Sequence, residues 1–301
     1  MKQLAPIALF CFNRIDTLIR CIESLYLSTE AIYSDIIIFS DASRNQEDWN
    51  KINEIRYYIK NINGFKSIRI IEREQNLGVD YNIIKGIQQM SEEYDRFIVV
   101  EDDLIVSKHF LRFMNAGLDH FKSFEKVLTL SAFNYVKIPN SYIFDCYLVG
   151  RTNSWGWATW SNKIKDVDWD LALKNNFLSN YDEMIAFNKW GSDRSRMLKR
   201  TLNGHIRAWD IRLDYYQFKK GFLTAFSCYN LVINNGFNSQ DATNTSGYNR
   251  FKVKLKDFNH LDWHFPDFII SNPTITWRFI IKNSFFYRFI TFSLKKFKIY
   301  N

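Results

Sequence analysis

Cysteine is scarce in this chain: four among 301 residues, Cys11, Cys21, Cys146 and Cys228, with no CxxC pair. Such usage excludes a dense disulfide framework and suits a reducing compartment, which we read as the cytoplasm. Long apolar runs are missing too, since no stretch reaches the ~18 uninterrupted residues of a spanning helix. Residues 4–12 are apolar but hold Pro6, lack a small-residue cleavage site and run into Asn13-Arg14, so they read as a first strand rather than a secretion signal. No P-loop occurs, which argues against ordinary triphosphate kinases. Neither solenoid or propeller repeats nor low-complexity segments are visible. Acids are absent from one region: residues 277–301 hold six basic residues and none of the 32 acids, so the first 276 residues, with 34 basic residues, carry only +2 of the formal +8. The positive charge therefore sits in a terminal aromatic segment and not beside the chain's acidic motif, which excludes nucleic acid as a partner.

What is present is a chain 47% hydrophobic, enough for one large or two modest domains. Its first third alternates strands with helices. Strands are expected at 6–12, 36–39, 68–72 and from Phe97, and helices at 15–27, 49–61 and 81–90. This order predicts an α/β fold, a mostly parallel sheet with helices on both faces. Ligands of such sheets bind at the carboxyl ends of the strands. Three polar signals follow strand ends here: Asn13-Arg14, Ser40-Asp41, and the triplet Glu101-Asp102-Asp103 within RFIVVEDDLIV. Three adjacent acids repel and raise each other's pKa unless a cation or hydrogen-bond donors offset them. A divalent Mg or Mn carrying a diphosphate would do so, because such ions accept one or two carboxylates and take other ligands from phosphate and water. The plainer alternative is an acidic loop whose Asp103 serves the start of a helix at 107–113.

Beyond residue 106 the expected elements are a helix at 110–121 and strands at 127–132 and 226–233. Trp155-Gly156-Trp157 and Trp160 serve equally as core or as a platform for sugar rings. Asp210, in Ala208-Trp209-Asp210-Ile211-Arg212-Leu213-Asp214, reads either as a salt-bridged surface acid or as a general base partly screened from water. His260 and His264 share a four-residue spacing with zinc sites, but no Glu follows His260 and Pro266 interrupts, so a zinc protease is rejected. Residues 241–244 are a polar loop or a flap over the donor.

Taken in order, PIALFCFNR (6–14), Ser40-Asp41, VVEDDLIV (99–106), SAFN (131–134), Trp155-Gly156-Trp157 and Trp209-Asp210 resemble the N-acetylglucosaminyltransferase I family over residues 5–235. The resemblance implies a GT-A fold and an inverting, metal-dependent transferase. It implies Mn on Asp103, ribose and sugar on Asp102 and Glu101, nucleotide on Arg14 and Asp41, and a base at Asp210. Two departures stand out: one residue fewer between Ser40 and Asp41, and Ile211 in place of a second acid, which leaves Asp214 as a rival base. The stretch 230–244 looks more like sugar transferases of bacterial surface-polysaccharide clusters, and the family's membrane-anchored stem is missing before residue 5. Expected domains are a transferase domain, 1–270, with a nucleotide-binding half (1–106) and an acceptor half (107–270), and a basic aromatic helical tail, 271–301. The partners implied are a nucleotide sugar, with uridine diphosphate as carrier, and a glycan or lipid-linked acceptor. The competing functions are a nucleotidyl- or phosphotransferase, and a silent carbohydrate- or membrane-binding module. The tail reads as a helix lying in the membrane surface, giving a peripheral cytoplasmic protein, or as one packed on its own core or on a second subunit of a homodimer.

Overall fold

The computed structural model describes residues 3–171, 174–236, 253–256 and 262–296. Its elements, in chain order, begin with β1 (Ile7–Cys11), α1 (Ile15–Tyr26), β2 (Asp35–Ser40), α2 (Gln46–Lys60), β3 (Ser67–Glu72), α3 (Gly78–Glu93), β4 (Arg96–Glu101), β5 (Leu104–Val106) and α4 (Phe110–His120). There follow β6 (Val127–Ser131), β7 (Cys146–Val149), β8 (Trp157–Trp160), α5 (Ser161–Ile164), α6 (Lys174–Ser179), α7 (Tyr181–Phe187), α8 (Arg194–Leu202), α9 (Trp209–Lys220), β9 (Leu223–Ser227), β10 (Val232–Asn234), α10 (Pro273–Lys282) and α11 (Phe285–Lys296).

Eight strands form one sheet in the order β3-β2-β1-β4-β8-β6-β9-β7, and β5 with β10 forms a second, two-stranded one. The run from β3 to β4 is parallel, β8 lies antiparallel to both β4 and β6, β6 and β9 are parallel, and β7 closes antiparallel. The expected α/β fold, mostly parallel with helices on both faces, is what the chain forms. Alternate residues of each central strand feed two cores. Ile7, Leu9, Ile98 and Val100 face α1 and α4, where Leu18, Ile22 and Phe113 wait; Ala8, Phe10, Phe97 and Val99 face α3 and α9, with Ile83, Ile87 and Leu213. Burial on both faces is why these strands read as continuous apolar runs. A third cluster joins α6 to α9 through Phe177, Phe187, Leu198 and Ile211. Close approach of α3 to the sheet needs Gly86, where a Cβ would come within 2.3 Å of the Phe10 ring.

Two expected elements are divided. The strand expected at 226–233 is β9 and β10, separated by a turn in which Tyr229 N donates to Ser227 Oγ, and the second piece pairs with β5 instead of the main sheet. The helical tail is two helices. Asn272 caps the first by accepting from Ile275 N, Pro273 follows at its first position, and buried Asn283 ends it. Among the described residues no helix is long and apolar enough to cross a membrane.

Candidate active site

The apolar strands β1, β2 and β4 deliver their polar ends to one rim. Asp102 N donates to Phe10 O, and Asp102 Oδ2 accepts from Phe12 N at 3.3 Å, which ties the end of β4 to the end of β1. Arg14 then lies between the acids, bonded to Asp102 and, at 3.2 Å, to Asp103 Oδ2. Asp103 Oδ1 accepts from Asn234 Nδ2 at 3.3 Å, and its carbonyl from Asn235 N at 2.8 Å, so the end of β10 crosses over the triplet. Gly236 continues that strap; a Cβ there would sit 2.4 Å from Asp103 Oδ2.

Burial drives the Glu101 carboxyl well above the usual range, with Asp103, Asp102 and Asp210 adding to it. Asp102 is also raised, by burial first, although Arg14 opposes the shift. A cation arriving at this rim would reverse both trends. The side chains present fit a hard divalent ion. Half-buried Asp103 offers one carboxylate, bonded to Arg14, and no group of three or more His, Cys, Asp or Glu side chains able to hold a metal occurs among the described residues. Such a donor set suits an ion that draws its other ligands from a diphosphate and water, not a closed zinc cage.

Asp41 is 3% exposed and fully engaged: it accepts from Ala42 N, Leu77 N and Gly78 N, each at 2.9 Å, and from Asn76 Nδ2 at 3.2 Å. Burial raises its pKa, while the three backbone N–H groups and Arg73 oppose the shift. It therefore builds the turn before α3 that forms one wall of the cleft. That cleft holds about 650 Å³ and is lined by Phe12, Arg14, Asp41, Asn76, Asp102 and Arg207 among others. A hollow of about 780 Å³ at the opposite rim, near Gln3, Arg96 and Asp119, lies away from the strand-end acids. Arg44, its guanidinium 4.8 Å from the Phe12 ring centroid, also lines the cleft. Sequence reasoning missed Arg44, Asn76 and Arg207, since their only signal was polarity after a strand end or before a helix.

Asp210 stands in the first turn of α9. Trp209 beside it stacks on Trp157 of β8 at 5.6 Å, anchoring the helix start to the sheet. Trp157 and Trp160 are core residues, 1% and 3% exposed, and half-buried Trp155 packs on Phe133, so the two fully buried indoles form no sugar platform. The Asp210 carboxylate accepts from Ile211 N at 3.0 Å. Burial, aided by Asp214, lifts its pKa to about 6 against Ile211 N–H and Arg151. Asp214 has different surroundings. One helical turn on and 3% exposed, Asp214 accepts from Arg194 Nε at 2.6 Å, Arg194 Nη2 at 2.9 Å and Thr152 N at 2.9 Å. Of the two histidines, His264 donates its backbone N–H to Asp145, while His260 and the 241–244 loop lie outside the described residues.

The chain is similar to three solved structures. It matches TarS of S. aureus in complex with UDP-GlcNAc at 15% identity and TM-score 0.40, over 55% of this chain and 48% of that one. It matches the mannosyltransferase PcManGT of Pyrobaculum calidifontis, with GDP-Man and Mn2+, at 7% and 0.39, over 56% and 47%. It matches GalNAc-T7 with UDP, GalNAc and Mn2+ at 13% and 0.47, over 76% and 43%. The chain thus spans less than half of each, and likeness at this level assigns no role to any residue. No curated protein matches the sequence significantly. A glycosyltransferase pattern is nonetheless present, although it does not single out the N-acetylglucosaminyltransferase I family: residues 7–122, which carry Arg14, Asp41 and the acidic triplet, match the model of glycosyl transferase family 2.

Proposed function

We propose that this protein transfers a sugar, a hexose or N-acetylhexosamine, from a nucleoside diphosphate to a hydroxyl of a glycan or lipid-linked acceptor in surface-polysaccharide assembly, inverting the anomeric centre. Uridine diphosphate is the carrier that the sequence resemblance favours. The observation that carries the reading is the convergence, inside the family 2 segment, of Asp41, Glu101, Asp102 and Arg14 on one cleft, with Asp103 bonded to Arg14 and the raised acid Asp210 close enough to Glu101 to perturb it.

Asp103 would hold Mn or Mg, which when bound supplies charge neutralisation for the departing diphosphate. Arg14 offers a guanidinium that can turn from Asp102 to a phosphate, for which its fork is equally suited. Asp41 shapes the nucleotide wall through residues 76–78, and Asp102 and Glu101 face ribose and sugar. Asp210 takes the proton of the acceptor hydroxyl as the new C–O bond forms opposite the breaking bond to phosphate. The nucleoside diphosphate leaves with the bonding electron pair. Holding donor and acceptor in line supplies much of the rate, up to about 7–11 kcal/mol in well-oriented analogues.

The test is thermal melting with UDP and nucleotide sugars, with and without Mn, because a ligand bound only by the folded state raises Tm by mass action. Wild type should be stabilised by nucleotide only with Mn. Asp103→Ala should fold normally and lose that response, since the residue sits on a rim. Product analysis should show nucleoside diphosphate; pyrophosphate would make the protein a nucleotidyltransferase instead. Mn-dependent binding that survives in a folded Asp103→Ala protein would remove Asp103 from the metal site.

A further inference from the structure

We propose that the outer face of α10 and α11 docks this protein on an anionic phospholipid surface. The inner face of α10 is committed to the fold. Ile275 and Phe279 are buried, and Phe279 meets Tyr135 at 5.4 Å and Phe226 at 5.5 Å. Asn283 donates to Tyr135 Oη at 2.6 Å and accepts from Ser192 N at 3.0 Å, which fixes where the first helix stops. Arg288 then ties α11 to buried Asp193. These anchors hold the second helix in place while its apolar side points away from the protein.

On that outer side stand Trp277 (62% exposed), Ile281, Phe285 and Phe286 (71% each), Phe289 and Ile290. Phe285 and Phe289 stack at 6.2 Å, so the aromatic surface is continuous along the helix. Single exposed apolar residues are ordinary, but six on two consecutive helices form a patch of the kind that meets a partner.

Charge decides which partner. Asp267 is the last acid of the chain, and the 34 residues after it include six basic ones, with Lys295 and Lys296 closing α11. A second copy seated on this face by a two-fold axis would bring together two segments that carry six basic residues each and no acid of their own, with only Arg288, among the described residues, already paired, to Asp193. An anionic bilayer surface complements the same charges, and Trp and Phe prefer its interfacial layer. The 12 described residues of α11 span roughly 18 Å against a hydrocarbon core of about 30 Å, and no helix among the described residues is long and apolar enough to cross, so the docking proposed is that of a helix lying on the surface.

The docking stands independently of the transferase reading, though its use rests on it. Asp193 also pairs with Arg151, next to Thr152, whose N–H bonds Asp214 below the proposed base. The docked helix is therefore tied through Asp193 and Arg151 to the segment beside the proposed base, where a lipid-linked acceptor would be presented.

Sedimentation of the full chain with vesicles tests the proposal. Wild type should pellet with phosphatidylcholine vesicles containing phosphatidylglycerol, weakly with phosphatidylcholine alone, and return to the supernatant in high salt. The triple variant Phe285→Ser, Phe286→Ser, Phe289→Ser should bind the anionic vesicles at least about tenfold less while keeping the wild-type Tm, because it removes exposed rings only. The single variants Trp277→Ser and Phe286→Ser guard against misfolding of the triple and should each weaken binding in part. A wild type that stays in the supernatant with both vesicles, or folded variants that pellet like wild type, overturns the proposal. So does a wild-type dimer in light scattering that the triple variant converts to monomer without any vesicle binding, which would give the face to a second copy.

Discussion

Asp210 and Asp214 are four residues apart on one helix, and their surroundings separate their chemistry. Asp210 has one backbone donor and a pKa near 6; Asp214 is locked by Arg194. Replacing Asp210 by Asn should lower turnover about 10²–10⁴-fold with donor binding nearly unchanged. In wild type, kcat should climb as pH rises through about 6, where Asp210 becomes a carboxylate able to accept a proton. Stability should move the other way. A carboxyl whose folded pKa is raised contributes stability below its unfolded value, 3.8, and loses it as pH rises to about 6. Asp210→Asn should therefore melt slightly above wild type at pH 8 while being nearly inactive, the trade expected where function holds a destabilising group. Asp214→Asn should behave oppositely. It leaves Arg194, 0% exposed, without its partner charge, and removal of one member of a buried pair costs about 3–5 kcal/mol. Calorimetry on both variants, alongside a steady-state assay, reads these contrasts, and an Asp214→Asn protein as stable as wild type with impaired turnover would return the base role to Asp214. The Trp-Asp pair made Asp210 visible in the sequence. The Asp214–Arg194 pairing was not visible, since nothing local links positions 20 apart.

At the scale of elements, the strands of the first half were legible because each is a short apolar run buried on both faces, and the helices between them carry 3.6-residue periodicity. The second half was harder to read for a specific reason. Residues 226–233 are uniformly strand-like, yet Asn230 bonds Lys254 O and the chain leaves the main sheet to pair Val232 with Val106. Periodicity reports that a strand exists and says nothing of its partner. That excursion has a purpose in the site, because it brings Asn234 and Gly236 onto Asp103. Gly236→Ala should place a methyl 2.4 Å from Asp103 Oδ2 and 3.1 Å from Arg14 Nη1. Nucleotide stabilisation by Mn should then weaken at least about tenfold, whereas Tm without ligand changes little, overpacking at a rim being milder than the 1–3 kcal/mol of a core. Unaltered Mn-dependent melting in that variant would mean that the β10 strap does not shape the metal site.

For the molecule as a whole, the uneven charge was readable at once, but its setting was not. Six basic residues among aromatics predict an amphipathic tail equally well whether it packs inward or faces a membrane. The structure separates burial from exposure between two helices: α10 is a core element through Ile275 and Phe279, and α11 carries most of the exposed rings. Removing the tail is consequently a test of stability before it is a test of docking. A chain ending at Asn272 forfeits the buried side chains of Ile275 and Phe279 and the cap bonds of Asn283. Buried Ile and Phe truncations cost roughly 2–5 and 3–5 kcal/mol, against a typical total of about 5–15 kcal/mol. The shortened protein should melt far below wild type or fail to fold, by circular dichroism, while the triple phenylalanine variant retains the wild-type transition. If the shortened chain instead melts with the full-length protein, Phe279 contributes nothing to the core, and α10 must be a detachable arm whose docking can be studied by deletion alone.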